Sequence, residues 1–188
     1  MKLHKLIMLT VILCGINILA QEQNDYSKEP GYFNFGEVLS LKTGELTTEI
    51  CLEEPVLKMV AQMGEAKDKE LGNLVNGLKL VKVNEFMVGK KNISKVDETF
   101  ESVGKKLQSE KWNRIIKTKQ KNHNAYVYVK SNSSGDFDGL VIMAKDKEGK
   151  ITLVNIIGKI DLTAIGRLSK EFNFPDVGKM RNHQKEEN

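Results

Sequence analysis

The sequence is poor in the side chains that most catalytic and metal-dependent chemistry requires. It carries two cysteines, three prolines, three histidines and one tryptophan in 188 residues. Cys14 lies inside an N-terminal apolar stretch, so Cys51 is the only thiol of the remaining chain, and no internal disulfide is available there. One cysteine with the scattered His123 and His183 does not supply the three or four ligands of a zinc site. The glycines stand singly, and none of GxGxxG, GxxxxGK(S/T) or GxSxG occurs. No metal and no cofactor is therefore expected. Charge of one sign is also missing: 29 Lys and Arg face 25 Asp and Glu, a net +4 that makes no case for nucleic acid as a partner. No apolar run is long enough to span a membrane.

What is present begins with an export signal. Lys2, His4 and Lys5 form a basic start, Leu6 to Leu13 is apolar apart from Thr10, and Ile18-Leu19-Ala20-Gln21 places a small residue before a polar one. That pattern predicts a signal peptide over 1–20, cleaved after Ala20. Lipid anchoring at Cys14 is the weaker reading, because lipoprotein processing wants a small residue before the cysteine and Leu13 stands there. Loss of Lys2 and Lys5 brings the net charge to about +2, and the roughly 168 residues left suffice for one domain. The predicted location is the periplasm or the cell surface.

Residues 21–44 read as a flexible or irregular leader: QEQNDYSKEP is polar, and Phe33, Phe35, Val38 and Leu41 follow among glycines without a period. From Glu45 the chain alternates with a period of two through Cys51, a strand signal. Glu53-Glu54-Pro55 then starts a helix, with Leu57, Val60, Ala61 and Gly64 as its inward face. After a charged connection over 66–72, Leu74 to Val88 predicts a second strand with a bulge near Gly77 and Leu80-Val81. The strand–helix–strand unit suggests a parallel, right-handed crossover. Ser94-Lys95-Val96-Asp97 resembles a capping box, and Val96, Phe100, Val103 and Leu107 set the face of the longest helix, to about Glu110.

Short strands then follow over 113–118, 125–131 and 140–145, joined by the turns QKNHN, NSSGDFDG and DKEG. The stretch KITLVNIIGKIDLTAIGRLSKEF closes the domain. Ile151 to Ile157 is an apolar strand, Gly158 interrupts it, and Asp161 caps a helix whose Leu162, Ile165, Leu168 and Phe172 share one face. The expected fold is α+β: a mostly antiparallel sheet of about five to six strands, with helices packed on one face in a two-layer sandwich. The single domain runs over 45–175, and 176–188 is a charged tail.

Three features invite a functional reading. Cys51, just ahead of a helix start, pairs on paper with His123 as a thiol–imidazole couple, although Glu49, Glu53 and Glu54 surround it with charge that disfavours a thiolate. The turn Ser134 to Gly139 resembles a calcium loop, but with Gly139 sixth the twelfth position is Lys145, a cation where the acid belongs. A hairpin turn is the better reading. Lys105, Lys106, Lys111, Arg114, Lys117, Lys119 and Lys121 surround Trp112, opposed only by Glu110, a basic strip of the kind that meets anionic lipid or acidic glycan. The plainer reading is a solvated helix end followed by an edge strand protected by lysines.

The export signal, the opening ELTTEICLEEPVLKMVAQM, the strand LKLVKV and the closing LVNIIGKIDLTAIGRLSKEF together resemble a domain-of-unknown-function family of small exported or lipoprotein-type proteins typical of Bacteroidetes. The resemblance covers Glu45 to Phe172. It implies an envelope location and carries over no catalytic residue. The expectation is a non-enzymatic exported domain that binds an envelope protein or ligand. A thiol enzyme centred on Cys51 and a basic surface-adhering module are the alternatives.

Overall fold

The computed structural model describes residues 25–65, 72, 75–120 and 123–160. Six strands form one sheet: β1 (Thr48–Glu53), β2 (Leu78–Met87), β3 (Trp112–Gln120), β4 (His123–Ser131), β5 (Phe137–Asp146) and β6 (Lys150–Ile160). Their order is β1-β2-β6-β5-β4-β3, and every neighbouring pair is antiparallel. Helices α1 (Gly36–Leu39), α2 (Glu54–Glu65) and α3 (Ile93–Ser109) accompany it. The chain is thus an α+β protein.

The last four strands make the meander that the short turns predict, with β6 brought in beside β2. The expected parallel crossover does not form. β1 pairs antiparallel with β2, Ile50 opposite Val83. The expected bulge lies between Leu78 and Leu80. Gly158 does not end its strand. It sits opposite Leu78 at φ +126, where Lys159 N–H bonds Gly77 C=O at 2.8 Å, and β6 continues to Ile160. The helix expected from Asp161 to Phe172 lies outside the described residues.

Alternation along the strands gives the sheet two apolar faces. On one, Phe86, Tyr126, Tyr128, Val141, Met143, Ile151 and Leu153 meet Val96, Phe100, Val103 and Leu107 of α3, the four positions set by the helical period. On the other, Val127, Leu140, Ile142, Val154 and Ile156 share a cluster with Leu57 and Ala61 of α2, which packs over β1 and β2. The capping box is not formed: α3 begins at Ile93 after Asn92, whose side chain makes no cap hydrogen bond. Asp97 serves instead as the partner of Lys145, at 2.8 Å, and of Asn124.

The segment read as a leader belongs to the core from Phe33 onward. Phe33, Phe35, Val38 and Leu41 are buried on the α3 face. Asn155, itself 2 % exposed, accepts a hydrogen bond from Phe33 N–H at 3.0 Å and donates to Gly31 and Leu140 carbonyls. Glu29 pairs with Lys79 at 2.8 Å, and the Tyr26 hydroxyl accepts from Glu54 N–H. An irregular backbone buries its polar groups only when partners are supplied, and here a side chain from the central strand supplies them.

Candidate interaction surface

The feature that asks for an explanation is the outer side of α2. Its start follows the sequence rule, with Glu54 and Pro55 in the first turn and Lys58 held 2.7 Å from Glu54. The Lys58 hydrogen bond keeps the Glu54 carboxyl below the usual carboxylate range. Leu57 and Ala61 are buried, as the sequence predicts, but Val60 is not. Val56, Met59, Val60 and Met63 recur at i, i+3, i+4 and i+7 and remain 40 %, 54 %, 38 % and 68 % exposed. At the helical period they cover an arc of about 100°, centred about 130° from the Leu57–Ala61 line. The apolar arc of α2 is therefore roughly twice as wide as the sheet beneath it covers.

β1 extends this surface. Ile50, 40 % exposed, is opposite Val83, whose side chain packs with the cluster that holds Leu57 and Ala61. It points to the same side of the sheet as α2. β1 is also an edge strand, regular in its pairing with β2 and free of lysine and proline. The opposite edge, β3, carries Arg114, Lys117 and Lys119 and a register shift between Arg114 and Ile116, two devices that discourage edge pairing.

The basic strip does not present its tryptophan at the surface. Trp112, the aromatic on which such a surface depends, is 3 % exposed and packs edge-on to Phe33 at 6.5 Å. Lys117 is 2.7 Å from Glu101 and lies over the Tyr126 ring at 5.6 Å, and Lys119 stands 4.0 Å from the same carboxylate. The Tyr126 hydroxyl completes the group by donating to Glu101. The Lys117 hydrogen bond holds Glu101 below the usual range, while burial and then the Glu101 charge push the Tyr126 phenol far up. Lys106 lies over Phe33 at 5.6 Å, and Lys105, Lys111 and Arg114 are exposed. Lys121 lies outside the described residues.

The thiol–imidazole couple is not assembled. Cys51 is exposed on β1 and His123 opens β4, with β2, β6 and β5 between them, about 19 Å of sheet at ~4.8 Å per strand. His183 lies outside the described residues. The calcium-like turn is a hairpin held by Asn132, whose side-chain oxygen accepts from Ser134 and Asp136 N–H and whose amide donates to Asp138. Among the described residues no three His, Cys, Asp or Glu side chains converge as metal ligands do. A depression of about 160 Å³ between α1 and α3, lined by Phe33, Asn34, Glu37, Val103 and Lys106, is smaller than the pockets that enclose small molecules.

The exposed stripe was readable as spacing. Val56, Met59, Val60 and Met63 match the helical template as well as Leu57, Val60, Ala61 and Gly64 do. Choosing one inward face hid the fact that there are two.

Comparison with known proteins adds one finding. A family model described as Domain of unknown function (DUF4252) matches residues 42–168. No curated protein and no solved structure matches the chain.

Proposed function

The chain belongs to the family described as Domain of unknown function (DUF4252), and on that premise we propose that it is an exported envelope protein that acts by binding rather than by catalysis. One observation carries the reading. A helix exposes Val56, Met59, Val60 and Met63 in a continuous stripe, with Ile50 on the same side of the adjoining strand. Methionine is a flexible and polarisable side chain suited to contact surfaces, and a contiguous exposed apolar patch marks an interaction site. Export is supported by the basic start, apolar run and Ala20-Gln21 junction of the first residues. No helix among the described residues is long and apolar enough to cross a membrane.

Two measurements test the reading. The protein recovered from the native envelope begins at Gln21; an N-terminus still at Met1 in the cytosol removes the export half. A photo-crosslinking residue at Met63 gives discrete adducts in the native host, whereas one at Lys147, in the β5–β6 turn, gives none. Equal yields at both positions, or none at Met63, remove the binding half.

A further inference from the structure

We infer that the α2 stripe and the β1 edge together form a surface for a second copy of this chain, joined edge to edge through β1. The inference rests on the reading above, that the stripe is a binding surface, and it names the partner. Two unlike surfaces meet here: an apolar helix stripe, and a strand edge whose outward N–H and C=O groups have no strand beside them among the described residues. A partner that fits both must offer a strand edge with an apolar helix beside it. A second copy, turned about a two-fold axis perpendicular to the sheet, offers that combination, because such an axis makes the surface its own complement.

The register is set by charge. In an antiparallel pair, opposed residues point to the same face, so β1 pairs with its copy only in registers that keep the faces matched. With the axis at Ile50, Ile50 opposes Ile50 of the copy, Thr48 opposes Leu52, and Glu49 opposes Cys51. No like charges meet. Moving the axis to Cys51 sets Glu49 against Glu53 of the copy, which is destabilising. With Ile50 on the axis, the two α2 helices lie on the same side of a continuous twelve-stranded sheet (six strands from each copy), and their stripes face each other across it.

Charge also argues against a lipid surface as the occupant. At the start of α2 the stripe is flanked by Glu54, which engages Lys58 at 2.7 Å, and the nearby Lys79 is held by Glu29 at 2.8 Å. With these cations already paired, anionic headgroups gain little at this surface.

Sedimentation equilibrium of the purified protein tests the inference. The wild type sediments at twice the chain mass. Ile50→Lys, and separately Met59→Lys with Met63→Lys, halve that mass while leaving far-UV circular dichroism unchanged, since all three side chains are exposed. Register is read by oxidation: Ile50→Cys in a Cys51→Ser background gives a disulfide-linked dimer. The native Cys51 pair does not, because the axis at Ile50 leaves its two Cα atoms about 8 Å apart. A wild type that stays monomeric up to its solubility limit overturns the inference, as does a dimer that survives both sets of lysines. A monomer that still gives Met63 adducts in the native host overturns self-pairing alone and leaves the binding reading standing.

Discussion

Gly104, in the fourth turn of α3, lies directly against the hydroxyl of Tyr128 on β4: a Cβ added at 104 would collide with that oxygen. Helix and sheet approach this closely because the helix has no side chain at the contact. Gly104→Ala is therefore expected to destabilise by about 1–3 kcal/mol through overpacking, despite alanine's better helix propensity. The Tyr128 hydroxyl is buried and makes no hydrogen bond of ordinary geometry among the described residues, with the Arg114 side chain as a polar neighbour. Tyr128→Phe removes the colliding oxygen at the cost of a weak Arg114 contact, and it restores part of the loss in the double variant. Denaturant midpoints of the four proteins measure this, and a Gly104→Ala variant as stable as wild type disproves the contact.

Lys145 is 9 % exposed, and its ammonium sits 2.8 Å from Asp97. Asp97→Ala leaves that cation buried without its partner and also removes the acceptor for Asn124. A loss of about 2–3 kcal/mol is expected. Lys145→Met fills the same space with an apolar chain and is expected to cost less than half as much. Equal losses in urea titrations would show that the pair's charge is not the source.

Three groups set the pH limits of stability. Glu101 lies below its ordinary value through Lys117 and Tyr126, and Glu85 does so although burial pushes it up, because hydrogen bonds from Thr152 and Thr48 and the Lys150 charge outweigh that push. Both carboxylates bind a proton more readily when unfolded. Their stabilisation is present above the ordinary value of 4.5 and is lost as pH falls below it. Tyr126 is shifted the opposite way, so its contribution is present below the ordinary 10.0 and is lost as pH rises past it. Unfolding midpoints between pH 3 and 6 are expected to fall with acid, less steeply in Glu101→Gln. Above pH 10, tyrosinate absorbance from Tyr126 is expected to appear only together with unfolding.

Lys111 closes α3 at φ +65, a conformation that costs a side-chain-bearing residue about 1 kcal/mol, while its N–H bonds Gln108 C=O. Lys111→Gly is expected to stabilise by up to about 1 kcal/mol in thermal unfolding, with no change in association. A lower midpoint would contradict the strain.

The legible parts of the fold are those where a period repeats. Val96, Phe100, Val103 and Leu107 face the core because four residues at helical spacing admit one solution, and the hairpin turns marked the meander. Periodicity says nothing about strand direction: the strand–helix–strand order suggests a parallel pair, and β1 and β2 are antiparallel. It also fails on the irregular stretch over 31–41, where Phe33 and Phe35 are held by Asn155, a residue more than a hundred positions away. At the candidate site the difficulty was of another kind. α2 is apolar on two sides, and a reading that allots one face to each helix takes Val60 for core and passes over Met59 and Met63. Within the basic strip, adjacency in sequence places Trp112 among the cations, whereas the structure turns it inward.

The bond between Phe33 and Asn155 joins positions 122 apart. The earliest-made portion of the body thus has no seat until almost the last strand has been delivered. Such a chain has a high contact order and cannot close while a ribosome or a translocation channel still holds its C-terminal third. Any chaperone that escorts it must keep Phe33 and Phe35 covered until β6 arrives.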